Sequence, residues 1–326
     1  MKSLPILAAL LTLAGPAQAD DATVTTSDPA QAEIVTTDVE HFWQAFDAAA
    51  KLPLEQREAI YQKGYLDLAS QGLKDFLVFR HLDAAKLSQH VEANRAYYGE
   101  VRPYIGKVVG QKAAIESAFR RLKALYPDTR FPTHVYFVVG AQHGAGMNSP
   151  NGIVFSAEMI ATPPGKPYSY TAVSPEFTTF GVVHETIHFN QVYQTSDKSD
   201  LLQSVVSEGT ADFIASLVVQ EPDVRQLTDR WQYGCPREAE LATRFAADAD
   251  KTDLAPWLFV HPTANGWPPD MGYWLGYRID QAFYAAAKDK TAALRAMLQV
   301  TDFKAYLKAS GYPAKATACA PEKPAA

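Results

Sequence analysis

His184 and His188 stand four residues apart in VVHETIHFNQVYQ, with Glu185 directly after the first of them. On a helix that spacing puts both imidazoles on one face, a turn apart, where they can reach a single tetrahedral ion. Glu185 is rotated by about one hundred degrees from His184, so it need not touch the ion and can instead hold a water from the side as general base. Val182, Val183, Ile187 and Phe189 flank the motif and predict a helix packed into a core. A catalytic zinc takes three protein ligands and keeps one position open for water, so a third ligand has to come from another element. Glu208 lies 20 residues past His188 in SVVSEGTADFIASLV, and Asp212 follows four residues later on the same apolar stretch. Two carboxylates a turn apart on a hydrophobic helix are costly to bury without partners. Glu208 as metal ligand and Asp212 as acceptor for the free N–H of His184 or His188 would supply those partners. Asp197 and Asp200, close after the motif, are the alternative third ligands, and Glu208 is favoured over them.

HETIH followed by Glu208 in SEGTAD resembles the gluzincin metallopeptidases over residues 176–220. In that group a second helix brings a glutamate as third ligand, and an acidic residue four positions later often supports a ligand histidine. The order FPTHVYFVVG, GIVFSAEM, VVHETIHFNQ, SEGTADFI and GYWLGYRI resembles, over about 130–285, a family of predicted zinc-dependent proteases related to a gliding-motility lipoprotein. The resemblance implies a zincin-like catalytic core, Zn2+ held by His184, His188 and Glu208, and a peptide or protein substrate. The chain departs from the thermolysin pattern at Ser207, where those enzymes carry Asn, and has no evident counterpart of their C-terminal active-site histidine. The GTxxD signature of the aspzincins is present only as Gly209-Thr210-Ala211-Asp212, one residue short.

With zinc in place, the chemistry expected is attack of an activated water on a polarised carbonyl, Glu185 passing its proton to the leaving amine. An oxyanion forms in that step and needs a donor. Tyr273 and Tyr277 in DMGYWLGYRID, a helical turn apart with His261 behind them, are the candidates, and the sequence does not choose between them or exclude plain packing roles. Ile153, Phe155 and Ala157 alternate with Val154, Ser156 and Glu158, which predicts a half-covered strand. The resemblance makes it an edge strand able to pair with an extended peptide. AQHGAGMNSPNG ahead of it reads as a hairpin loop, with a mobile rim to the cleft as the alternative, and His143 as a surface residue.

The elements that must position these groups follow from periodicity. The fold class expected is α+β and mainly helical, with a small sheet. A polar, flexible lead is expected over 20–37, then a helical lobe over 38–128, from DVEHFWQAFDAAAK and LEQREAIYQKGYLDLASQGLKDFLVFRHL to GQKAAIESAFRRLKAL. Residues 129–326 then form the metallopeptidase domain: two strands, THVYFVVG and GIVFSAEM, and a helical region running almost to Gly311. MKSLPILAALLTLAGPAQAD has the charged start, short apolar run and small-residue end of a signal peptide over 1–19. A periplasmic or secreted protein is therefore expected, with no membrane span. A net charge of -6 leaves no basic footprint for nucleic acid. Cys235 and Cys319 are suited to one disulfide tying the tail to the body, with two separate thiols as the alternative. Two functions fit: an exported zinc metallohydrolase, most simply a peptidase, or a non-catalytic envelope protein using a peptidase-like scaffold to bind a partner. Glu185 favours the first, since a scaffold has no need of a general base.

Overall fold

A computed structural model describes residues 25–163, 173–259 and 266–324. The expected signal peptide and His261 lie outside the described residues. The chain enters through β1 (Thr25–Thr26) and β2 (Glu33–Val35). Helices α1 (Thr37–Ala49), α2 (Leu54–Gly64), α3 (Gln71–Phe79), α4 (Ala84–Ala93), α5 (Arg95–Val109) and α6 (Lys112–Leu125) follow. Next come β3 (Phe131–Pro132), β4 (His134–Val138), β5 (Gly146–Ser149) and β6 (Gly152–Ser156). The remainder is helical: α7 (Thr178–His188), α8 (Leu201–Val218), α9 (Arg225–Gly234), α10 (Glu238–Asp248), α11 (Met271–Ala286), α12 (Lys290–Leu298) and α13 (Phe303–Ser310). The fold is thus α+β and mainly helical, as its periodicity indicates. Among the described residues no helix is long and apolar enough to cross a membrane.

The main sheet has the order β2-β4-β6-β5, with β2, β4 and β6 parallel and β5 antiparallel on one edge. Three sequence expectations are corrected here. The lead is not uniformly flexible: Ile34 and Val35 pair with Val135 and Tyr136, so residues 33–35 are a sheet strand. A three-residue strand carries no periodicity, and its partner lies a hundred residues away. GIVFSAEM is not the edge: β6 is buried throughout between β4 and β5, as an interior strand covered on both faces has to be. The segment between the two runs is no simple hairpin loop, because it contains β5. Ser149 pairs with Gly152 across a two-residue turn at Pro150 and Asn151, and Gly152 has a φ of 138°.

The faces of the sheet carry different helices. Tyr136 lies against Gly72 of α3, where a Cβ would come within 2.2 Å of the ring. Phe137 and Phe155, on the other face, stack at 5.9 Å, and Phe155 borders Glu185 on α7 through Gly146. The helical pattern over 54–82 is interrupted: α2 ends at Gly64 and Ser70 restarts the chain, its hydroxyl accepting from Leu73 N at 3.2 Å. One hydrophobic cluster runs from Phe42 and Tyr98 through the sheet to Val205 and Trp274, so the early helices and the later ones share a core. Cys235 and Cys319 are disulfide-bonded, and the buried Arg278 donates to Thr317 O and Ala318 O of the same tail.

Candidate metal centre

Helix α7 ends on the motif, and α8 packs against it after a loop closed by Asp200, whose carboxylate accepts from Gln203 N at 2.8 Å as the N-cap. Asp200 is thereby spent on the helix start, and Asp197 is exposed. Glu208, one of the most deeply buried carboxylates, is the group brought to the two imidazoles. The position of α8 is set by its crossing with α11: Gly209 and Gly276 meet so closely that a Cβ on Gly276 would stand 2.0 Å from Val205 O. Backbones approach to that extent only where side chains are missing.

His184 Nε2 and His188 Nε2 are 3.2 Å apart and lie 3.3 Å and 3.5 Å from Glu208 Oε2. Ligand atoms bound at about 2.0–2.1 Å to a tetrahedral ion stand about 3.3 Å from one another. All three separations match. The other ring nitrogens are already committed. His184 Nδ1 is 2.8 Å from Asp212 Oδ1, and His188 Nδ1 is 2.8 Å from Gln191 Oε1. Gln191 Nε2 donates to Ser207 O at 2.8 Å, which turns its carbonyl oxygen toward His188. In its neutral form each imidazole would carry its single N–H on Nδ1 and direct a lone pair from Nε2 at the Glu208 carboxylate. Positive charge belongs among these groups, and a metal ion or protons on the imidazoles can supply it.

The electrostatics agree. Burial depresses the basicity of His184, but the Asp212 and Glu208 carboxylates outweigh it and raise it well above the usual range. His188 is likewise disfavoured as a cation by burial yet held above its usual value by Glu208. Burial opposes ionisation of Glu208, and the two histidines more than reverse this, lowering its pKa. Glu185 is different: burial raises its pKa, only partly countered by His188 and His184. Its Oε2 is buried without a hydrogen bond, and its Oε1 faces Gly146 on β5. That is a carboxylate able to take up a proton, placed beside the centre and not in it.

The two tyrosines part company. The Tyr273 ring lies nearly parallel to His184 at 5.9 Å, with the Arg230 guanidinium 4.7 Å from its centroid. Burial, followed by Glu208 and Asp270, raises the Tyr273 pKa well above its usual value, so the hydroxyl is a donor at neutral pH. Tyr277, a turn further on, is 2.8 Å from Ser216 Oγ and accepts from Glu322 N at 2.6 Å. It faces the C-terminal tail, and the structure does not bring it to the metal group. Sequence reasoning missed Gln191, three residues past His188, and Arg230, which approaches Asp212 Oδ2 at 3.9 Å from α9. Gln191 was findable from its position; Arg230 left no local signal. His143 is exposed, as expected.

Comparisons with protein-family models, with curated proteins and with solved structures find no match for this chain.

Proposed function

We propose that this chain is an exported zinc metallohydrolase, a peptidase with a zincin-like, gluzincin-type centre. The observation that carries the reading is the set of three near-equal separations among His184 Nε2, His188 Nε2 and Glu208 Oε2, with both Nδ1 atoms anchored. His184, His188 and Glu208 would hold the metal, and zinc suits two imidazoles and one carboxylate with one position open. When bound, the ion supplies a Lewis acid and a water of lowered pKa.

The remaining steps belong to the chain. Glu185 accepts a proton from the attacking water and returns it to the departing amine, a role its raised pKa fits. Tyr273 donates from its hydroxyl to the oxyanion of the tetrahedral state. Asp212 and Gln191 fix the tautomers and orientation of the two histidines. Edge strand β5, beginning beside Glu185, offers the side not paired among the described residues to an extended peptide.

Metal analysis of the purified protein beside Glu208→Ala tests the centre, and Glu185→Gln tests the chemistry. The expected results are about one zinc per chain in wild type, loss in Glu208→Ala, and a metal-loaded but inactive Glu185→Gln. A wild type that takes up no zinc at neutral pH would end the reading.

A further inference from the structure

Arg80 closes α3 in the N-terminal helical region, 105 residues before Glu185, and nothing in the proposed chemistry uses it. Its guanidinium lies 4.9 Å from the centroid of Phe79 and 5.9 Å from that of Phe76. It is half-buried, and its Nε is buried without a hydrogen bond. Among the described residues no carboxylate comes within ion-pair distance of it. An arginine is charged at any pH a protein meets, and removing it from water without an anion is costly. The Glu185 carboxylate acts on it electrostatically but makes no ion pair with it, so a guanidinium donor is left for an anion that arrives.

Its place is fixed by glycines. The segment that joins β4 to β5 has glycines at 140, 144 and 146, and each receives a side chain from elsewhere. Gly140 takes the Phe76 ring, Gly144 takes Arg80, and Gly146 takes Glu185. A Cβ on Gly144 would lie 2.5 Å from Arg80 Nη2, and one on Gly146 would lie 2.8 Å from Glu185 Oε1. Two residues of chain span no more than about 7 Å. The guanidinium and the general base therefore lie against glycines about two residues of chain apart, at the start of the strand along which a peptide would lie. The planar fork of arginine matches a carboxylate with two parallel hydrogen bonds.

We propose that Arg80 binds a substrate carboxylate within about two residues of the bond that is broken, so that the preferred substrates are peptides carrying that carboxylate. This rests on the peptidase reading above and specifies its substrate class. The carboxylate has two sources, the C-terminal α-carboxylate or an Asp or Glu side chain, and the chemistry at Arg80 is the same for both.

The test uses the zinc-loaded protein and one set of synthetic peptides in matched forms: free acid against C-terminal amide, and Asp or Glu against Asn or Gln. Cleavage is followed by mass spectrometry. Binding of the same peptides is followed on Glu185→Gln protein, with and without Arg80→Gln. Expected is at least a tenfold preference for one carboxylate form over its neutral partner, in binding and in kcat/KM. Arg80→Gln abolishes that preference by raising KM for the carboxylate form more than for its neutral partner, and Arg80→Lys keeps part of it. Preference for the free acid over the amide identifies the α-carboxylate; preference for Asp or Glu identifies a side chain. Cleavage with no carboxylate preference, or a preference that survives in a folded Arg80→Gln, overturns the proposal and leaves the peptidase reading standing. Arg80-dependent binding of carboxylate peptides without any turnover does the reverse, sinking the peptidase reading alone.

Discussion

His184 Nδ1 and Asp212 Oδ1 meet at 2.8 Å across the contact between α7 and α8, and Arg230 stands 3.9 Å from the other oxygen of the same carboxylate. With a metal bound as proposed, the link would make His184 a better ligand by holding the N–H on Nδ1 and feeding charge into the ring. In Asp212→Asn an amide oxygen can still accept that N–H, so the tautomer is kept and the charge is lost. Zinc affinity should fall by about 10–100-fold, measured by competition with a chelating dye at pH 7. Gln191→Ala should weaken it in the same direction through His188. Unchanged affinity in both would show that these contacts serve packing only.

Tyr273 and Tyr277 make a matched pair. Tyr273→Phe removes the hydroxyl proposed as oxyanion donor and should lower kcat by about 100-fold or more with zinc content unchanged. Tyr277→Phe removes the bonds to Ser216 and Glu322 N and should cost about 1 kcal/mol of stability with kcat near wild type. Parallel kinetics and urea melts on the two variants check this. The opposite pattern would move the oxyanion donor to Tyr277.

Much of this candidate centre was legible because His184, His188 and Glu208 lie on two helices whose spacings are local facts. HETIH and SEGTAD each specify a face, and the cost of burying Glu208 and Asp212 points to their partners. What was not legible depends on pairing across the chain. The three residues of β2 look like lead until β4 is beside them. GIVFSAEM alternates in a way that suits a half-covered strand, yet a glycine-bearing segment with little β-forming character, GMNS, is the edge. Its glycines read as those of a hairpin loop, whereas Gly140, Gly144 and Gly146 make room for Phe76, Arg80 and Glu185. A gap left for a distant side chain has no signature in the local sequence.

The crossing of α8 and α11 gives a test of how the ligands are held. A methyl group on Gly276 would meet Val205 O at 2.0 Å and Gly209 Cα at 2.9 Å. Neither is the end of a flexible side chain, so the helices must move apart, carrying Glu208 away from His184. Gly276→Ala should cost about 1–3 kcal/mol or more and lower zinc affinity as well. Ala on Gly106, where nothing lies within 4 Å of a Cβ, is the control and should do neither. Denaturant melts and zinc titrations on both report the outcome; a stable Gly276→Ala with normal affinity would mean that the contact does not position α8.

Glu158 offers a pH test away from the metal ligands. Its carboxylate is fully buried, and Oε1 accepts from Gly140 N at 2.9 Å and Gln142 N at 3.3 Å, tying down the segment that leads to β5. Burial raises its pKa from 4.5 to about 7, against the lowering effect of those backbone bonds. Between these values the folded protein keeps a proton that the unfolded chain has lost. Stability from this group is therefore full below about pH 4.5 and is lost as pH rises through about 7. Asp280, raised by burial to about 7, acts in the same direction. Glu158→Gln keeps an oxygen for the two N–H groups and cannot ionise. It should remove the Glu158 share of the decline, about 3 kcal/mol at most, and leave the Asp280 share. Urea melts of the zinc-loaded protein from pH 5 to 8 measure it. The variant should lose less stability across that range than wild type, and parallel curves would mean that Glu158 is not the group that titrates.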